Sequence, residues 1–147
     1  MSTRRLLTAS LAGGLISAVL VNTPYVSLVN LLGCAGFWIG PIAAVWFYRR
    51  LAGSPTIGQA MVIGMLAGVW HGLFGLALST VGLAGAGSLL NEVRSLVPAQ
   101  DWPDVETALT GLGGILFNLV GVAIDVVFGL VGGLIGGAIF GARRAMV

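Results

Sequence analysis

The chain has 147 residues, enough for one domain, yet only seven basic and five acidic side chains, 8% of the total, where soluble chains carry ~25%. With 57% hydrophobic residues and 24 glycines, it cannot make the charged skin of a soluble enzyme. Its basic residues are all arginines, mostly scattered in pairs, which also excludes a free nucleic-acid binder; its solvent is a lipid bilayer.

Four stretches lack charge for long enough to cross one: residues 6–21, 26–48, 57–84 and about 109–142. As helices rising ~1.5 Å per residue they measure roughly 24, 35, 42 and 50 Å against a ~30 Å hydrocarbon core. The first needs its flanks to reach across, and the last two must tilt, bend or project. Helices are required because lipid leaves exposed backbone amides unsatisfied, and the alternating pattern of a membrane β-barrel is absent from the sequence. Asn22-Thr23-Pro24 closes a first hairpin, and Arg49-Arg50 with Gly53-Ser54-Pro55 separates the second span from the third. The longest connection, 85–108, is the one region of mixed charge. The expected architecture is all-α and polytopic. It is a single integral membrane domain of four transmembrane helices in two hairpins, with a short amphipathic helix between the third and fourth.

Orientation follows from the arginines. Arg4, Arg5, Arg49, Arg50, Arg143 and Arg144 fall on one side of this topology, and Arg94 on the other with Glu92, Asp101, Asp104 and Glu106. The positive-inside rule then places both termini in the cytoplasm, as in a multi-pass protein of a bacterial inner membrane. Trp46 and Tyr48, next to Arg49 and Arg50, are expected interfacial anchors on that side, with Trp102 on the outer side. Arg4-Arg5 before an apolar run resembles a signal peptide, but no small-x-small cleavage site ends that run, so the first span reads as an uncleaved anchor. Leu31-Leu32-Gly33-Cys34 resembles a lipoprotein box, yet Asn22, Pro24 and Asn30 interrupt the run before it. Cys34 is then a small helical residue with no partner cysteine.

Lipid tails are as apolar as leucine, so helices in a bilayer associate by close packing and polar contacts. Small residues recur at four-residue steps: Ala9, Gly13 and Ser17; Gly36 and Gly40; Gly64, Gly68 and Gly72; Gly129, Gly133, Gly137 and Gly141. The supply exceeds what four helices need, which predicts self-association or docking with other membrane subunits. A weak internal likeness, Leu28-Val29-Asn30-Leu31-Leu32-Gly33 against Leu116-Phe117-Asn118-Leu119-Val120-Gly121, suggests two hairpins related by an axis along the membrane normal.

Two ionisable groups lie deep in the apolar spans. His71 is central in the third, and Asp125 is near the middle of the fourth, with Asn118 on the same face. Consecutive antiparallel helices bring His71 and Asp125 to similar depth, where a lone charge costs at least ~2.5–3.5 kcal/mol. A polar seam is therefore expected. It serves either as a structural clamp or as a proton relay or cation site. Transporters usually carry more ionisable groups and a broken helix, so the clamp is preferred. Ala67-x-x-x-His71 beside Trp70 also resembles, over five residues, the bacterial light-harvesting arrangement. That likeness implies a tetrapyrrole ligated by His71, but the spacing is common in small-residue helices and no cofactor is expected.

In the outer segment, Ser88 can cap a helix with Leu89, Leu90, Val93, Leu96 and Val97 on one face. Asp101 and Asp104 around Trp102-Pro103 mark a second helix start. No nucleophile–base pair, phosphate loop or metal-ligand spacing occurs in the sequence, so an enzyme is not expected. The Leu28–Cys34 run with Trp38 and Gly40, then Gly64 to Gly68 and Gly132-Gly133-Leu134-Ile135-Gly136-Gly137-Ala138, resembles small uncharacterised Gly-rich bacterial four-helix membrane proteins. That resemblance implies a fold and no activity. The expected role is a non-enzymatic, oligomerising or accessory membrane component. The alternative is a small channel or proton-linked transporter built on His71 and Asp125.

Overall fold

The computed structural model describes residues 2–22, 35–80, 94–110 and 112–141, apart from the side chains of 79–80 and 108–118. These residues are almost entirely helical, and no strand occurs among them. Five helices follow in order: α1 (Thr3–Asn22), α2 (Ala35–Ala52), α3 (Ile57–Thr80), α4 (Trp102–Thr110) and α5 (Leu112–Phe140). Three are long and apolar enough to cross a membrane: α1, α3 over Ile57–Leu78, and α5 over Leu119–Phe140. α2 differs because its last turn holds Arg49 and Arg50. It was expected to end at Tyr48 and runs one turn further, since cations are favoured at the negative end of a helix dipole.

Local chemistry sets the α2–α3 connection. Gly53 takes φ +90°, a left-handed conformation that glycine adopts without strain, and its N–H donates to the Arg49 carbonyl at 3.0 Å. This is the glycine ending of a helix. Three residues on, the Thr56 N–H donates to Gln59 Oε1 at 3.0 Å and the Gln59 N–H to Thr56 Oγ1 at 3.3 Å. That reciprocal pair is a capping box, and it starts α3 by satisfying amides that the helix leaves free.

α1 and α5 each pack on both α2 and α3, while α2 and α3 also meet across the diagonal of the square. Contact register gives the directions. Gly13 faces Gly40 and Ala44 while Ser17 reaches back to Gly36, so α1 and α2 are antiparallel. Gly132 faces Trp38 and Pro41 and Gly136 faces Val45, so α2 and α5 are parallel. Gly129 faces Gly64 and Gly68 while Gly133 faces Ala60, so α3 and α5 are antiparallel. α1 and α3 therefore run side by side in one direction. A two-fold axis along the bundle would put them at opposite corners, so the hairpins are not related as the internal likeness suggested; residues 28–33 lie outside the described residues.

The interior is built from small residues. Leu6, Ala9, Ala44, Val45, Tyr48, Ala60, Ile63 and Ala67 form the buried cluster, and Ile63 is the largest of the fully buried side chains. Large apolar side chains point outward instead, as with Leu7, Leu11, Leu15 and Val19 along α1 and Ile124, Val127 and Leu134 along α5. Tyr48 corrects an expectation: it is 5% exposed and belongs to the core, because the α2 face that turns toward Leu6 and Ala9 carries it inward. Near the other end, 94–96 are helical while the earlier part of the expected amphipathic helix, with Ser88, lies outside the described residues. α4 starts where Asp101 and Asp104 predicted, with the Val105 N–H donating to the Asp101 carbonyl at 3.2 Å.

Candidate functional site

The site begins with backbone geometry. Where α3 crosses α5, glycines on both helices let the main chains touch. A β-carbon added at Gly64 would strike the Gly129 carbonyl, and one at Gly68 would strike the Asp125 carbonyl. One at Gly133 would lie 2.5 Å from the Ala60 carbonyl oxygen, closer than real β-carbons come to such an atom. Side chains of ordinary size would hold two helices 8–10 Å apart; bare backbone removes that spacer.

This approach brings the two ionisable groups together. Asp125 sits opposite Gly68, and His71 lies one turn along α3 from that glycine. The His71 Nδ1 and Asp125 Oδ1 atoms are 3.2 Å apart, with the side chains 8% and 13% exposed. Asp125 Oδ2 faces Gly72, where a β-carbon would come within 3.2 Å of it. Depth matching on antiparallel helices thus places the pair as expected, and glycines on either side of His71 make room for the carboxylate. An imidazole N–H that donates to a carboxylate satisfies both groups at once. Either alone in an apolar interior would cost several kcal/mol, on the order of an uncompensated buried charge.

The aromatic cover was not read from the sequence. Phe37 of α2 sets its ring edge-on to His71 at 5.2 Å between centroids, and lies 5.5 Å from Phe128, which also contacts Trp38 at 5.5 Å. The Trp38 indole N–H is buried with no hydrogen-bond acceptor among the described residues. A signal for this cover exists in Gly132 and Gly136: they continue one face of α5 four residues apart from Phe128, and α2 docks on that face through Pro41 and Val45. Pairing each ladder with one particular helix needs the topology of the square, which spacing alone does not supply.

The remaining expected residues fall as follows. Gly64, Gly68, Gly72, Gly129, Gly133 and Gly137 all line the α3–α5 contact. Gly141 follows the end of α5, its N–H donating to the Gly137 carbonyl at 2.8 Å, with the Pro55 carbonyl nearby. The side chain of Asn118 lies outside the described residues. Trp46, Arg49 and Arg50 are exposed, with the Arg50 guanidinium 5.3 Å from the centre of the Trp46 ring. Arg94 stands over Trp102 at 5.6 Å. The space that Ala67 leaves beside His71 is filled by α1: a β-carbon at Gly14 would strike Trp70 and come within 2.8 Å of the Ala67 carbonyl. Ala67 is fully buried there.

Comparison with known proteins finds no matching family, no matching curated protein and no matching solved structure. The functional reading therefore rests on the geometry.

Proposed function

We propose that this chain is a non-enzymatic integral membrane protein. It threads the bilayer four times with both termini cytoplasmic, and serves as an accessory component of an inner-membrane assembly. In this reading the His71–Asp125 pair is an interhelical clamp. The observation that carries it is the contact of the Asp125 main chain with Gly68. The carboxylate is mounted on the tightest part of the bundle, so releasing it means separating α3 from α5, whereas a transport site needs room for its substrate. α2 supplies the fourth crossing; it packs against both α1 and α5, at a corner of the same bundle as the three more apolar helices.

Proton-linked transport is the second reading, favoured by one fact: the pair is ionisable and lies near the middle of two apolar helices. Asp125→Asn separates the two. An asparagine oxygen still accepts from imidazole, so a clamp keeps most of an interaction worth ~0.6–2 kcal/mol. Purified Asp125→Asn should unfold within a few degrees of wild type, Asp125→Leu should unfold distinctly earlier, and liposomes of wild type and of both variants should show the same background proton flux as protein-free ones. Wild-type flux that vanishes in Asp125→Asn, with thermal stability intact, would overturn the clamp.

A further inference from the structure

We propose that the cleft at the C-terminal end of α2 binds the phosphate-bearing headgroup of an anionic phospholipid, with Arg49 and Arg50 supplying the charge and Trp46 the wall. This rests on the membrane reading above. The cleft measures about 360 Å³ and is lined by Trp46, Arg49 and Arg50. Ligand pockets run from ~300 Å³ upward, so it has room for a headgroup and not for a whole lipid. Arg50 is held over the face of Trp46, which orients its guanidinium, and the Gly53 N–H bound to the Arg49 carbonyl fixes the backbone beneath. Guanidinium forks match phosphate oxygens two at a time.

The charge balance leaves these cations open to an outside partner. The sequence holds no acidic side chain before Glu92. Arg4 and Arg5 open α1 at the same end of the bundle, because Leu6 packs in one cluster with Tyr48. The described part of α5 reaches this end through Gly137, Phe140 and Gly141, none of them charged. Among the described residues, four guanidinium groups thus face one surface with no carboxylate from α1, α2, α3 or α5 beside them, and the His71–Asp125 pair lies deep between α3 and α5. Trp46 and Leu51, 37% and 46% exposed, add apolar surface next to the cations, where acyl chains would begin. Free phosphate would have no use for it, which is why a lipid is assigned.

Native mass spectrometry of the full chain tests this, with the protein stripped in detergent and offered phosphatidylglycerol, phosphatidylcholine or inorganic phosphate. Wild type should retain phosphatidylglycerol over phosphatidylcholine. A hydrogen bond to a charged group is worth roughly tenfold or more, so Arg49→Gln with Arg50→Gln should lower retention about 100-fold, while Arg4→Gln with Arg5→Gln, which do not line the cleft, should lower it far less. Arg49→Lys with Arg50→Lys keeps charge and topology and should still lose several-fold, through the missing forks. Equal retention of the two lipids, full retention in the lysine variant, or displacement by millimolar inorganic phosphate would each overturn the lipid site. Carbonate extraction of the same proteins reports separately on the membrane reading: wild type washed from the membrane fraction would refute that reading itself, while lost lipid preference leaves it standing.

Discussion

At the scale of single residues, the same amino acid does opposite work at different positions. Gly68 lets the Asp125 main chain in, whereas Gly75 has no described atom within 4 Å of where its β-carbon would stand. Gly68→Ala should therefore destabilise the purified protein by about 1–3 kcal/mol, the usual cost of forcing atoms into a packed contact. Gly75→Ala should be neutral or mildly stabilising, since alanine favours helix over glycine. Thermal unfolding of the two variants in one detergent checks this, and equal midpoints would mean that α3 and α5 do not meet through Gly68. The shared depth of His71 and Asp125 was legible in the sequence because consecutive antiparallel helices fix depth; their contact was not, because it depends on which faces of α3 and α5 meet. The edge-on Phe37 and the outward-to-inward reversal of Tyr48 were not legible, because both depend on which helix lies beside α2. In a chain that is apolar on nearly every face, periodicity does not mark the inner one.

At the scale of elements, helix ends were easier to read than helix faces. Proline, glycine and charge punctuate this sequence, so α1, α3 and α4 begin close to where they were expected, and α2 overran only by the turn that its arginines stabilise. The capping box at Thr56 and Gln59 is local chemistry of the same kind. Thr56→Ala removes the hydroxyl acceptor and should cost about 1 kcal/mol, while Thr56→Ser should restore nearly all of it. Denaturant unfolding monitored by helical circular dichroism reads the difference. If Thr56→Ala matches wild type, α3 is started by its packing on α1 and α5 alone. The three long apolar helices are stabilised differently: with backbone bonds closed within each helix, their association depends on small-residue contact and on one polar pair.

At the scale of the whole molecule, the glycine ladders are spent inside the chain. Gly64, Gly68 and Gly72 meet α5, Gly13 and Gly40 join α1 to α2, Gly14 seats α1 on α3, and Gly132 and Gly136 seat α5 on α2. Among the described residues, these small positions close a four-cornered bundle. The bundle's ends differ in charge: Arg4, Arg5, Arg49 and Arg50 stand at one, and Asp101 and Asp104 belong to the segment that leads into α5 at the other. The central claim is that all four corners cross the membrane, α2 included, with the arginine end in the cytoplasm. Single cysteines placed by Ser2→Cys, Ser54→Cys and Gln100→Cys in a Cys34→Ser background, labelled with an impermeant maleimide in oriented vesicles, test it most directly. The account predicts that positions 2 and 54 react from the cytoplasmic face and position 100 from the opposite one; labelling of 2 and 54 from opposite faces would contradict it.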